Sequence, residues 1–218
     1  MIKKVGLLLS VFMLCNCSSS IPLPTVEDGI RGSMFGIDKN INEKTIDKYL
    51  NRKDCVYFDL RMLKDEADYE QIGGDSYLSG YVKGFEILPY PFLATVTSLP
   101  EEVGVGYTGD CLYSILDDES YVANFKESFS IIESYFPHDK YIFLMCGGGG
   151  YASMGKKLLI ALGYDENKIY NVGGYWYYNG KNKVQVKKEV DGKITYDFEN
   201  VPYHNIDFST LTKNEKDN

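Results

Sequence analysis

Two rhythms of apolar and polar residues run along this chain, and together they predict most of its elements. Cys55-Val56-Tyr57-Phe58-Asp59-Leu60 is a compact apolar run with a polar residue near its end, the pattern of a buried strand. Gly84-Phe85-Glu86-Ile87-Leu88-Pro89 is a second short strand, stopped by proline. Over residues 121–136 the spacing changes: Val122, Phe125, Phe129, Ile132 and Phe136 recur at steps of three and four, which predicts a helix stopped by Pro137. Tyr141-Ile142-Phe143-Leu144-Met145 is apolar without interruption, as a central parallel strand is. Four glycines follow, then a helix over about 152–162 with Met154, Leu158, Ala161 and Leu162 on its inner face. Lys168-Ile169-Tyr170-Asn171-Val172 is another strand, ended by Gly173-Gly174. A short helix fits 45–50, where Ile46 and Leu50 share a face, whereas residues 90–119 predict no definite element.

Near the end of the chain, Val184-Gln185-Val186 and Ile194-Thr195-Tyr196 flank Asp191-Gly192, a hairpin turn signal. The reading is therefore an α/β fold: a mostly parallel sheet with helices on both faces, plus a C-terminal β-hairpin appendage.

The chain begins differently. Lys3 and Lys4 precede an apolar run over 5–14. That run is roughly ten residues, short of the about 20 that span a bilayer but suited to a secretory signal. Leu14-Cys15-Asn16-Cys17-Ser18-Ser19-Ser20 resembles a bacterial lipoprotein cleavage site, with Asn16 where a small residue usually stands. Cys17 is the expected lipidation site and Cys15 the alternative; an ordinary cleaved signal peptide also exports the protein. The expected organisation is a leader and lipidation site over 1–17, a tether over 18–42, one domain over 43–180, and a hairpin and tail over 181–218. The protein is then exported and held in the bacterial cell envelope, meeting the membrane through its lipid only.

Composition narrows the chemistry. The formal net charge is -8, so there is no basic excess to neutralise phosphates and no nucleic-acid partner is expected. Only His138 and His204 are present, which excludes a multi-histidine metal site, and none of the five cysteines forms a CxxC pair. No metal or cofactor is implied. Export permits a Cys55–Cys111 disulfide, or Cys111 as a resolving thiol beside Cys146.

Met145-Cys146-Gly147-Gly148-Gly149-Gly150-Tyr151-Ala152-Ser153 is the chemically informative stretch. It places Cys146 at the carboxyl end of a buried strand, where open α/β sheets hold their ligands. The glycines allow successive N–H groups to point into one space, and the following helix adds the positive end of its dipole. A thiol there is expected to ionise readily. A buried structural cysteine is the plain alternative. Ala152 stands where tyrosine phosphatases carry the arginine of Cys-x5-Arg, so their phosphate clamp is missing. The stretch from Gly150 to Lys157 misses the phosphate-loop pattern by its last residue, and Lys156 and Lys157 read as a solvated helix face. A papain-like reading lacks a histidine near Cys146.

The same loop resembles the active-site loop of the rhodanese family of sulfurtransferases. Tyr57-Phe58-Asp59-Leu60-Arg61 is similar to that family's early strand with its Asp-x-Arg ending, and Gly80-Tyr81-Val82-Lys83-Gly84-Phe85 to the segment after it. Asn171-Val172-Gly173-Gly174-Tyr175-Trp176 resembles the late Gly-Gly turn. The resemblance covers roughly residues 45–180. It implies a persulfide on Cys146, cradled by the main chain of Gly147, Gly148, Gly149, Gly150, Tyr151 and Ala152, with Tyr151 shaping the pocket mouth. It also implies a small sulfur donor, a thiol or cyanide acceptor, and a structural Asp59–Arg61 pair. Two departures stand out: the loop lacks the arginine or lysine that receives an anionic donor, and Tyr81 replaces a histidine. They point to weak thiosulfate turnover or a less charged donor, and they motivate a second reading, a catalytically weak or inactive binding module displayed on the cell surface.

Overall fold

Strong apolar runs became a four-stranded, all-parallel sheet. The computed structural model describes residues 21–29, 34–62, 80–96, 107, 109–185, 187–196 and 203–215. Strands β1 (Cys55–Asp59), β2 (Gly80–Val82) and β3 (Glu86–Ile87) are followed by a single helical turn, α1 (Tyr90–Leu93). Next come β4 (Tyr113–Ile115), β5 (Tyr121–Ala123), α2 (Ser128–Tyr135), β6 (Tyr141–Cys146), α3 (Gly150–Ala161) and β7 (Ile169–Gly174). Three short strands close the series: β8 (Lys183–Gln185), β9 (Lys187–Val190) and β10 (Lys193–Tyr196). The main sheet has the order β3-β1-β6-β7. Growth runs outward from β1 in one direction and from β6 in the other, so the topology switches between β1 and β6, where parallel sheets open a crevice at their carboxyl ends.

Alternation within each strand divides the core in two. Phe58, Ile142, Leu144, Cys146 and Ile169 face one cluster, which α1, α2 and α3 complete with Tyr90, Ile132, Phe136, Leu158 and Leu159. Cys55, Tyr57, Phe143, Met145, Tyr170 and Val172 face the other. Helices on both faces were expected; among the described residues all three α-helices instead pack into the first cluster. The second face is covered by a 3-10 turn at Ile46–Lys48, by Ile41 and by aromatic rings. Tyr57, Phe143 and Tyr170 stack there at centroid separations of 5.0 and 4.9 Å. Large flat side chains thus do the covering that helices do on the first face.

Other boundaries moved. The helix expected over 121–136 is strand at its start and irregular over 124–127: β5 pairs antiparallel with β4, and α2 begins only at Ser128. The hydroxyl of Ser128, fully buried, donates to the Leu112 carbonyl at 2.8 Å and accepts from the Phe125 N–H, fixing that break. Residues 183–185 pair with β2 rather than with the stretch after Asp191-Gly192, and β9 and β10 are the antiparallel pair around that turn. Asp191 and Gly192 both have positive φ, as a tight two-residue turn requires.

The expected tether over 18–42 is, over its described residues 21–29 and 34–42, largely part of the fold. Ile37, Asp38, Ile41 and Asn42 are buried. Asp38 accepts main-chain N–H groups from Glu27, Asn40 and Ile41, and Tyr170 donates its hydroxyl to the Pro24 carbonyl at 2.5 Å. Lys156 does not belong to a solvated face either: it is buried and meets Asp28 at 2.6 Å, clasping the segment to α3. Its partner lies 128 residues away in sequence, which no local pattern reveals. Among the described residues no helix is long and apolar enough to cross a membrane. Cys15, Cys17 and the rest of the expected leader over 1–17 lie outside the described residues.

Candidate functional site

Cys146 is the last residue of β6, level with the end of β1 at the switch in strand order. Three glycines carry the chain away from it, and Gly149 turns with φ 105° as the residue before α3. A side chain is strained at that angle, which makes glycine the natural occupant. The first turn of a helix leaves its N–H groups without intrahelical acceptors. Here sulfur takes the place of an acceptor: Gly149 N–H donates to the Cys146 Sγ at 3.0 Å, and the N–H groups of Ala152 and Tyr151 favour its charged form.

The cradle is therefore made by Gly149, Tyr151 and Ala152. Gly147 and Gly148 have another task. A Cβ on Gly147 would lie 2.6 Å from the Trp176 indole, and one on Gly148 would lie 3.2 Å from it. Their bare main chain lets the ring lie directly on the loop, while the Gly147 carbonyl accepts from the main-chain N–H of Trp176 at 3.1 Å. Gly150 opens α3, two residues before the start expected from sequence. The Tyr151 ring does not shape a mouth; it is buried in the core, stacked on Tyr90 at 5.6 Å.

Beside this loop β7 is irregular. Leu144 pairs with Asn171 and Met145 with Gly173, so Val172 is an extra residue, a β-bulge. The bulge carries the end of β7 past the loop so closely that a Cβ on Gly174 would collide with the Gly147 carbonyl.

Two charged side chains lie under the site. Asp59 is fully buried and Arg61 nearly so. Arg61 Nε reaches both carboxylate oxygens, at 3.0 and 2.9 Å, and its Nη2 bonds Oδ2 and the Gly80 carbonyl. The guanidinium also sits 4.3 Å from the Tyr175 ring centroid. These two groups do meet, and their bonds run to one another and to β2 rather than to the sulfur.

Electrostatics correct one expectation. The thiol of Cys146 is pushed up, not down: burial is the largest cause and the charge of Asp59 adds to it, against the opposing pull of the Ala152, Gly149 and Tyr151 N–H groups. Cys146 is only 3% exposed, so water does little to stabilise its anion. The cradle and the burial act in opposite senses, and burial prevails in this closed arrangement.

The remaining candidates stand apart from this point. Cys55, Cys111 and Cys146 are all free thiols. Cys55 packs on the opposite face of the sheet, and Cys111 spends its contacts on Thr95, Asn124 and the Tyr113 carbonyl. His204 pairs with Glu86 at 2.5 Å, and His138 stacks on Tyr164 at 4.0 Å. Among the described residues no group of three His, Cys, Asp or Glu is placed to hold a metal ion.

No protein-family model, no curated protein and no solved structure matches the chain. Sequence reading missed Asn171, a fully buried amide in an otherwise apolar strand, although a lone amide there has to find partners. It also missed Ile37, whose side chain lies against Gly149 and Gly173; nothing in its sequence surroundings marks it.

Proposed function

We propose that this chain is a rhodanese-like sulfurtransferase that carries sulfane sulfur as a persulfide on Cys146. The observation that supports it best is the Gly149 N–H donating to the Cys146 sulfur at the sheet's switch point, with the Ala152 and Tyr151 N–H groups also favouring its anion. Such donors suit a terminal persulfide anion as an oxyanion hole suits an alkoxide. In the loading step the Cys146 thiolate attacks the outer sulfur of thiosulfate; the S–S bond breaks and sulfite leaves with the electron pair. In the second step a thiolate or cyanide takes the terminal sulfur, and Cys146 recovers its electron pair as thiolate.

Because Cys146 is closed off, turnover requires the loop to open, and the Trp176 ring resting on Gly147 and Gly148 is the part to displace. With Cys17 lipidated, only Ser18, Ser19 and Ser20 separate the anchor from Ile21, whose carbonyl Arg52 already holds at 2.5 Å. The domain then works close against the bilayer rather than at the end of a long tether.

The test is intact mass after incubation with thiosulfate, polysulfide or mercaptopyruvate. One added sulfur atom is expected, lost on cyanide treatment and missing in Cys146→Ser. No gain from any of the three donors overturns the reading. A second reading, a binding module with an idle cysteine, draws support from the burial of the thiol and its raised pKa. It expects Cys146→Ser to leave function intact.

A further inference from the structure

Gly149 is held from two sides. Its N–H donates to the Cys146 sulfur, while its carbonyl accepts from Ser153 N–H at 2.9 Å and from the Asn171 side-chain amide at 3.3 Å. Asn171 is fully buried, and every polar group it carries is engaged. Its Nδ2 also donates to the Phe35 carbonyl at 2.8 Å, its Oδ1 accepts from the Gly173 N–H at 3.0 Å, and its own carbonyl accepts from the Asp38 N–H at 2.8 Å. One side chain thus joins the N-terminal segment, the bulge of β7 and the residue that donates to the sulfur.

The fixed points around it are firm. Asp38 is itself fully buried and bonded to three main-chain N–H groups, and Ile37 fills the space beside Gly149 and Gly173. Gly149 sits at φ 105°, where no side chain limits its backbone, so the direction of its N–H depends on what restrains its other end.

We propose that Asn171 is a positioning residue for Cys146: braced by residues 35–38 and by the bulge, it restrains Gly149 so that the Gly149 N–H stays aimed at the sulfur. This goes beyond sulfur transfer, since it concerns the reactivity of the thiol whatever its cargo. Asn171 touches neither the sulfur nor any reacting atom; it acts through Gly149. The charged group that bears on this sulfur is Asp59, at the end of β1; it and its partner Arg61 are left untouched.

The test is iodoacetamide alkylation against pH, read at each cysteine by peptide mass, in wild type, Asn171→Ala and Asn171→Leu. The leucine variant keeps nearly the same size and adds no charge while removing the donor, so it serves if the alanine variant does not fold. Losing a hydrogen bond to a charged sulfur lowers the Cys146 rate at pH 8 by about tenfold and moves its pH profile upward, with Cys55 unchanged. A merely structural role gives the opposite sign: loosening the core exposes Cys146 and Cys55 together, and both rates rise. That result, or an unmoved Cys146 profile, overturns the proposal. The measurement uses no sulfur donor, so its failure and the failure of the sulfurtransferase reading are separate outcomes.

Discussion

At Cys146 the balance between desolvation and main-chain donors decides what the residue can do. A buried thiol flanked by the Asp59 carboxylate resists ionising, and three N–H groups recover only part of that cost. Alkylation of Cys146 in the closed protein should therefore still be climbing above pH 9, because thiolate is the reactive form and its pKa is raised. A rate that levels off near neutrality would show the donors prevailing instead. The loop glycines give a sharper handle. Gly147→Ala drives a methyl into the indole of the chain's single tryptophan, at 2.6 Å from Cζ2. The ring has to lift, at a cost of about 1–3 kcal/mol. A red-shifted Trp176 emission together with a lowered denaturation midpoint is the expected pair of results, and an unshifted spectrum would mean that the ring does not rest on the loop. Gly148→Ala, with 3.2 Å to the same ring, should cost less.

At the scale of elements, α3 carries two loads: its N-terminus aims at the sulfur and its Lys156 grips the N-terminal segment through Asp28. Asp28 is half exposed, so the pair contributes about 1 kcal/mol or less to global stability. Lys156→Ala should thus leave the thermal midpoint nearly unchanged while speeding limited proteolysis within residues 21–29; equal proteolysis of variant and wild type would argue that the clasp is idle. The central elements were legible in sequence because burial on both faces leaves an unmistakable apolar run, as at Tyr141–Cys146 and Ile169–Gly174. The Cys146 loop was legible because four consecutive glycines serve little purpose in an ordinary turn. What failed was whatever depended on distant partners. Residues 121–136 have helical spacing throughout, but Leu112 and Ser128 claim the region around Phe125 and leave 121–123 to pair with β4. Residues 37–42 look like linker because their burial rests on Asp38, an acid whose main-chain bonds are invisible until the chain has folded. Likewise the raised pKa of Cys146 follows from depth, and depth is not written in the loop.

Across the whole molecule, the tyrosines and thiols buried in the two cores give the fold a characteristic response to alkali. Burial pushes the Cys55 thiol up to about 11 and the Tyr113, Tyr164 and Tyr175 phenols up to about 12, and it moves Cys146 the same way. In the unfolded chain these groups ionise at ordinary values, about 8.5 for cysteine and about 10 for tyrosine. Above pH 8.5 the folded state therefore keeps protons that the unfolded state has released. Stability falls wherever the unfolded state binds fewer protons, so the loss begins near pH 8.5 with the thiols and steepens above pH 10 as the tyrosines join. Each group in its window contributes a slope of about 1.4 kcal/mol per pH unit. Denaturant midpoints measured from pH 7.5 to 10.5 should decline in that order. Cys55→Ala should flatten the first part of the decline by about one proton's worth, after a small loss at pH 7.5 from the vacated volume. Cys146→Ser should flatten it in the same direction, since its hydroxyl does not titrate in this range. A midpoint that stays level to pH 10.5 would mean that the sulfur atoms are wetter than their places in the two cores imply, and the loop over Cys146 would then be open in solution.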